Sequence, residues 1–275
     1  MISYSKTIPI KIIAIVICCL SLLGCEEIVN QYAFYPDTKN VLPAEKLPPD
    51  VDEVFFKTSD NQTLQAYLVR NLRSNLLLIY FHGNAGNISH RLPAIIHLRD
   101  CGATVLAVSY RGYGKSSGTP CEKGIYLDGG AAFTYATQTL GFSMGDIIII
   151  GRSIGTTVAV NVSKHKDIAG LILVTPITSG RAQAKAQGFG VFSFVAGKAF
   201  DNLSKISSVT CPLLIIHGTR DEVLSYSMGK AIFEAANTEK QFVTIAGGGH
   251  NNLSYVNPKK YWGAIKEFIS AFRKR

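Results

Sequence analysis

Residues 147–157 read Ile147-Ile148-Ile149-Ile150-Gly151-Arg152-Ser153-Ile154-Gly155-Thr156-Thr157, and the reading of this stretch decides the fold. Four consecutive β-branched residues suit a strand buried on both faces. A helical pattern begins at Gly155, so a single serine stands between two glycines in the turn from strand to helix. Gly-x-Ser-x-Gly in that setting is a nucleophile elbow. The residues two positions either side of the serine approach each other, leaving no space for a Cβ at Gly151 or Gly155. The serine itself must take a strained backbone conformation, at a cost of about 1–3 kcal/mol that a merely structural turn has no reason to carry. The strain lifts the hydroxyl above the sheet, toward the positive end of the following helix.

Outward from this point the chain alternates. Short apolar runs at 76–81, 104–109, 147–150, 171–174, 213–216 and 242–245 read as strands. Helical patterns lie near 89–100, 124–140, 155–165, 227–236 and 258–272. Two earlier strands, 54–58 and 64–70, are expected to form an antiparallel edge. Apolar strands alternating with helices predict an α/β fold, with a mostly parallel central sheet flanked by helices. The rhythm breaks at 179–208, where Gly188, Gly190 and Gly197 stand among Phe189, Phe192, Phe194 and Phe200. Two readings fit: a helical excursion burying its own aromatics, or a small cap offering apolar surface to a substrate.

In such sheets ligands meet the carboxyl ends of the strands. The residues found there are His82-Gly83-Asn84-Ala85-Gly86-Asn87, Gly151-Arg152-Ser153-Ile154-Gly155, His217-Gly218-Thr219-Arg220-Asp221-Glu222-Val223 and Ala246-Gly247-Gly248-Gly249-His250. A serine hydroxyl becomes a good nucleophile only when a base takes its proton and a third group orients that base. His250 is the candidate base and Asp221 the candidate orienting carboxylate, in the chain order Ser, Asp, His that this arrangement uses. Glu222 is the rival carboxylate. The shorter side chain, placed first after the turn, better suits a fixed bond to an imidazole. His82 and His217 precede glycines at strand ends and read as loop supports, whereas His90, His97 and His165 fall on helical patterns. The backbone N–H of Ile154, directly after the serine, and that of Asn84 are the candidate oxyanion donors.

Together with Tyr110-Arg111-Gly112-Tyr113-Gly114-Lys115-Ser116-Ser117-Gly118 and Gly249-His250-Asn251, these motifs make the chain from about Asp50 to Phe272 resemble an α/β-hydrolase. The similarity is to a small-cap subgroup that includes eukaryotic protein depalmitoylases and small bacterial hydrolases. The resemblance implies a serine hydrolase acting on esters or thioesters without a cofactor. The same triad could instead cleave amides, as in serine aminopeptidase-like relatives, which would need an acidic group to hold the substrate amine. A non-catalytic binding protein on this fold usually lacks a triad member, and none is missing here. Gly114-Lys115-Ser116 is not a P-loop, because the glycine required five residues earlier is Ser109.

The N-terminus is a separate matter. Lys6 and Lys11 precede an apolar run over 12–23, too short to span a bilayer comfortably and suited to the core of a cleaved signal. The run ends in Leu22-Leu23-Gly24-Cys25, which resembles the lipobox of bacterial lipoproteins. That resemblance implies a signal over 1–24, lipidation of Cys25 and a membrane partner. Glu26 in place of an inner-membrane retention aspartate points to the periplasmic face of the outer membrane. Residues 25–50, rich in proline and without periodicity, are expected to be a tether to a domain over 51–275.

The net charge of +9, or +7 without Lys6 and Lys11, is dispersed rather than gathered into an aromatic-interleaved stripe, which excludes nucleic acid as a partner. The cysteines left after the signal and Cys25 are Cys101, Cys121 and Cys211, enough for one bridge at most and without zinc-ligand spacing.

Overall fold

The computed structural model describes residue 27 and residues 29–273. The expected signal sequence and Cys25 lie outside the described residues. Eight strands form one sheet: β1 (Val51–Lys57), β2 (Thr63–Val69), β3 (Leu77–Phe81), β4 (Thr104–Val108), β5 (Ile147–Arg152), β6 (Gly170–Val174), β7 (Leu213–Gly218) and β8 (Lys240–Ile245). Their order across the sheet is β8-β7-β6-β5-β3-β4-β2-β1. The strands from β8 to β4 pair in parallel, and β2 runs antiparallel to both β4 and β1. This is the α/β-hydrolase architecture. Strands β3 to β7 are buried on both faces except at Arg152, which is why their sequences are apolar without alternation.

The sheet separates two apolar layers. Leu77, Ile79, Phe81 and Ile149 face α2 (Glu122–Thr134), α3 (Gly155–Ser163) and α5 (Tyr226–Ala235). Leu78, Tyr80, Ile148 and Ile150 face α1 (Leu92–Asp100) and α7 (Pro258–Ser270). Between α3 and α5 comes α4 (Gly180–Ala184), and α6 (Leu253–Val256) precedes α7. Among the described residues no helix is long and apolar enough to cross a membrane. Cys101, Cys121 and Cys211 are free thiols.

The loop after β4 is fixed by a buried arginine. Arg111 donates from its backbone N–H and its Nε to Asp128 on α2, each at 2.9 Å, and from both Nη atoms to Asp60 at 2.8 and 3.0 Å.

One segment departs from the sequence expectations. Residues 29–50, read as part of a tether, lie along the domain. A helical turn at 29–33 leads to Phe34, which is buried in the core, and Tyr35–Pro36 pairs in parallel with Ala85–Gly86. Asn87 Nδ2 donates to the carbonyls of Asp37 and Lys39, at 2.9 and 2.8 Å. Backbone pairing of this kind leaves no periodic trace in the sequence.

The insertion after β6 contains α4, a π-turn over Lys185–Phe189 and a 3-10 stretch over Gly190–Ala196. Ser179 caps α4 by accepting from the N–H of Ala182 at 3.1 Å. Gly188, Gly190 and Gly197 all take positive φ, so they break the segment into short turns rather than one helix.

Candidate active site

β5 ends in the elbow. Ser153 has φ +55°, the left-handed region that a non-glycine residue adopts only at a cost. A Cβ on Gly151 would lie 2.5 Å from the Gly155 carbonyl oxygen and 2.7 Å from Ala159 Cβ. At Gly155 the obstruction has a different source. Its Cβ would strike the carbonyl oxygens of Phe81 and His82, where β3 ends beside the elbow. The two glycines therefore serve two approaches, one within the turn and one between neighbouring strands.

The loop after β7 carries Asp221, and the loop after β8 carries His250. The structure brings both to the elbow. His250 Nε2 lies 3.1 Å from Ser153 Oγ, and His250 Nδ1 lies 2.9 and 3.1 Å from the two carboxylate oxygens of Asp221. Ser153 and His250 are buried, at 8% and 6% exposure, so the contact between them is screened from bulk water. Burial of Asp221 would by itself raise its pKa. Hydrogen bonds from His217 and His250, helped by the N–H of Leu224, overcome that effect and hold the carboxyl well below the usual carboxylate range. With Asp221 an anion that accepts, Nδ1 of His250 is the donor and Nε2 is left to accept from the serine hydroxyl.

Glu222, the rival carboxylate, occupies a different position. Its Oε2 accepts from the backbone N–H of His250 at 3.3 Å and steadies the loop rather than the ring. His217, read as a loop support, contacts Asp221 directly: Nε2 lies 3.3 Å from Oδ2 and 2.9 Å from the Leu224 carbonyl oxygen. The only trace of this in the sequence is the four-residue spacing of His217 and Asp221. Arg152 was given no role from sequence. Its Nη2 donates to the His250 carbonyl at 2.9 Å and to Asn251 Oδ1 at 2.8 Å, tying the elbow to the histidine loop. A charged residue ending an otherwise apolar strand was the available signal.

Asn84 and Ile154 both border the cavity in front of Ser153, and their backbone N–H groups donate to no acceptor among the described residues. The loop bearing Asn84 is held from behind. Tyr113 Oη donates to the Asn84 carbonyl at 2.6 Å and Tyr110 Oη to the His82 carbonyl at 2.9 Å. His82 is fully buried against both rings; burial pushes its pKa down to about 3, so it is neutral.

The cavity holds about 560 Å³, within the range of small-molecule sites. Val29, Ala33, Ile177, Phe200, Val223 and Leu224 supply much of its surface, and among the described residues no charged side chain lines it. Among the described residues no group of three or more His, Cys, Asp or Glu side chains is placed to hold a metal ion.

A family model for the α/β hydrolase fold matches residues 77–199. The human alpha/beta hydrolase domain-containing protein 17B is 32% identical over 251 residues, covering 90% of this chain and 85% of its own length. The chain belongs to the α/β-hydrolase family. The mouse alpha/beta hydrolase domain-containing protein 17C is 35% identical to this α/β-hydrolase, over 80% of this chain and 68% of its own. Among solved structures, the Pyrococcus furiosus esterase Pf2001 superposes with a TM-score of 0.70 at 23% identity, covering 88% of this α/β-hydrolase and 98% of the esterase. Acetyl xylan esterase 1 from Thermoanaerobacterium superposes with a TM-score of 0.67 at 15% identity, over 84% and 88% of the two chains. At those identities the likeness speaks for the fold alone.

Proposed function

We propose that the protein is a serine hydrolase that cleaves carboxylic esters or thioesters through an acyl-enzyme. The observation that carries this reading is the continuous contact from Asp221 through His250 to Ser153, at 2.9 and 3.1 Å. In this scheme His250 Nε2 takes the proton of Ser153 Oγ as the oxygen bonds to the substrate carbonyl carbon. The N–H groups of Ile154 and Asn84 donate to the oxyanion that forms, each contributing about 2.7–4 kcal/mol. His250 then protonates the departing alcohol or thiol. In the second half it deprotonates a water that attacks the acyl-Ser153 ester, releasing the acid and restoring the serine. Asp221 keeps the imidazole in the required tautomer and stabilises its charged form.

The cavity lining supports esters over the aminopeptidase alternative, since among the described residues no carboxylate lines it to receive a substrate ammonium group. A fluorophosphonate probe should label Ser153, and Ser153→Ala should abolish labelling and lower kcat by about a thousandfold or more. Turnover of p-nitrophenyl acyl esters should far exceed that of aminoacyl anilides. A folded, unlabelled protein would end the proposal.

The same reading includes a membrane tether through lipidated Cys25, at the periplasmic face of the outer membrane. The lipobox-like Leu22-Leu23-Gly24-Cys25 supports it, and two or three acyl chains would anchor the protein durably. Cys25→Ala should release the protein from the membrane fraction and block incorporation of an alkynyl fatty acid.

A further inference from the structure

The cavity in front of Ser153 has one wall that lies outside the strand-and-helix body of the fold. Val29, Tyr32, Ala33 and Tyr35 all border it. Positions 29, 32 and 33 fall at i, i+3 and i+4 of the helical turn at 29–33, so they form a single stripe turned toward the cavity. Ile177 and Phe200 border the same cavity.

This wall is held in place at several points. Phe34 is buried and meets Phe200 edge to face, with ring centroids 5.9 Å apart. The Tyr35 N–H donates to the Asn84 carbonyl at 2.9 Å, and the Asp37 N–H donates to the Gly86 carbonyl at 3.3 Å. Asn84 itself borders the cavity beside Ser153, so the Tyr35–Asn84 hydrogen bond ties the wall directly to the loop beside the reacting serine.

We propose that residues 29–35 are the specificity-determining wall of the acyl pocket, and that the acyl group accepted there is an uncharged alkyl chain laid along this stripe and against Ile177 and Phe200. The inference rests on the serine-hydrolase reading and adds the class of acyl group and the residues that measure its length. The chemistry follows from the lining. A charged acyl group would lose its hydration against Val29, Ala33, Ile177 and Phe200 without meeting an opposite charge among the described residues, whereas an alkyl chain gains from leaving water. Each methylene accommodated is worth about fourfold in kcat/KM, up to the length at which the chain meets the wall. Ala33 is the smallest side chain of the stripe, so it marks the deepest room on this side.

The test uses the full chain and p-nitrophenyl esters from acetate to dodecanoate, with rates normalised to active sites titrated by a small fluorophosphonate. The unsubstituted protein should gain in kcat/KM with each added methylene and then reach a plateau. Ala33→Trp and Val29→Trp should move that plateau to shorter chains and lower the octanoate-to-acetate ratio of kcat/KM at least tenfold. Ala33→Leu should give an intermediate shift. Ratios within twofold of the unsubstituted protein in all three variants would overturn the proposal, as would a kcat/KM that does not rise with chain length. Loss of titratable Ser153 in all three would also contradict it, because a length-measuring wall stands apart from the reacting atoms. If the unsubstituted protein is not labelled, the hydrolase reading fails first and this inference falls with it.

Discussion

His217 holds its Nε2 3.3 Å from Oδ2 of Asp221, the same oxygen that takes the Nδ1–H of His250 at 2.9 Å. Both neighbours of His217 Nε2, the carboxylate and the Leu224 carbonyl, are acceptors, so that nitrogen carries the proton. Asp221 also accepts from the N–H groups of Val223 and Leu224, at 2.9 and 2.8 Å. A hydrogen bond to a charged group contributes about 1.5–3 kcal/mol. His217→Gln is therefore expected to lower kcat/KM for a p-nitrophenyl ester roughly tenfold to a hundredfold, measured on the pH plateau of the unsubstituted protein.

The same contacts give a pH signature in stability. The folded-state pKa of Asp221 is depressed below its unfolded value of about 3.9. The ionised carboxylate therefore contributes stability that is fully present above about pH 4 and is lost as the pH falls through the folded value. The gap in urea stability between the unsubstituted protein and Asp221→Asn should be present at pH 5 and shrink progressively below pH 4. A gap that widens below pH 4 would contradict the depressed pKa.

Two glycine substitutions should move stability in opposite directions. A Cβ at Gly155 meets two backbone carbonyls that cannot swing aside, whereas a Cβ at Gly130, exposed on α2, meets nothing within 4 Å. Gly155→Ala should cost at least about 1–3 kcal/mol through overpacking and should impair activity by displacing the elbow. Gly130→Ala should stabilise by about 0.5–1 kcal/mol, through helix propensity and reduced chain entropy. Denaturant midpoints on the two variants check both signs.

Arg111→Met should destabilise the protein by about 3–5 kcal/mol, because it leaves the fully buried Asp128 carboxylate without its partner. The double variant Arg111→Met/Asp128→Leu should recover much of that loss. Thermal denaturation of the two single variants and the double variant measures the coupling.

The sheet was legible in the sequence because strands buried on both faces read as unbroken apolar runs. The glycine-rich ends at 82–87, 151–155, 217–223 and 246–250 marked where loops gather at one rim. From there the close approach of Ser153, Asp221 and His250 follows from strand order alone, since β5, β6, β7 and β8 are consecutive neighbours. The contacts of Arg152, His217 and Glu222 were not legible, because they depend on the paths of loops that carry no periodicity. The N-terminal segment was missed for a related reason. Its attachment at Tyr35–Pro36 uses backbone groups, which any sequence can offer, and a single buried aromatic, Phe34. In the insertion, Phe200 is buried while Phe194 is exposed, and the positive-φ glycines break the helix at positions that pattern alone does not fix.

The Asn84 carbonyl receives two donors from distant parts of the chain, the Tyr35 N–H and the Tyr113 hydroxyl. Only the second belongs to the buried body of the sheet. Warming that peels the N-terminal strip away would thus free one side of the loop facing the nucleophile while the sheet stays folded. Heat inactivation should set in several degrees below the transition seen by circular dichroism, and brief cooling should restore turnover.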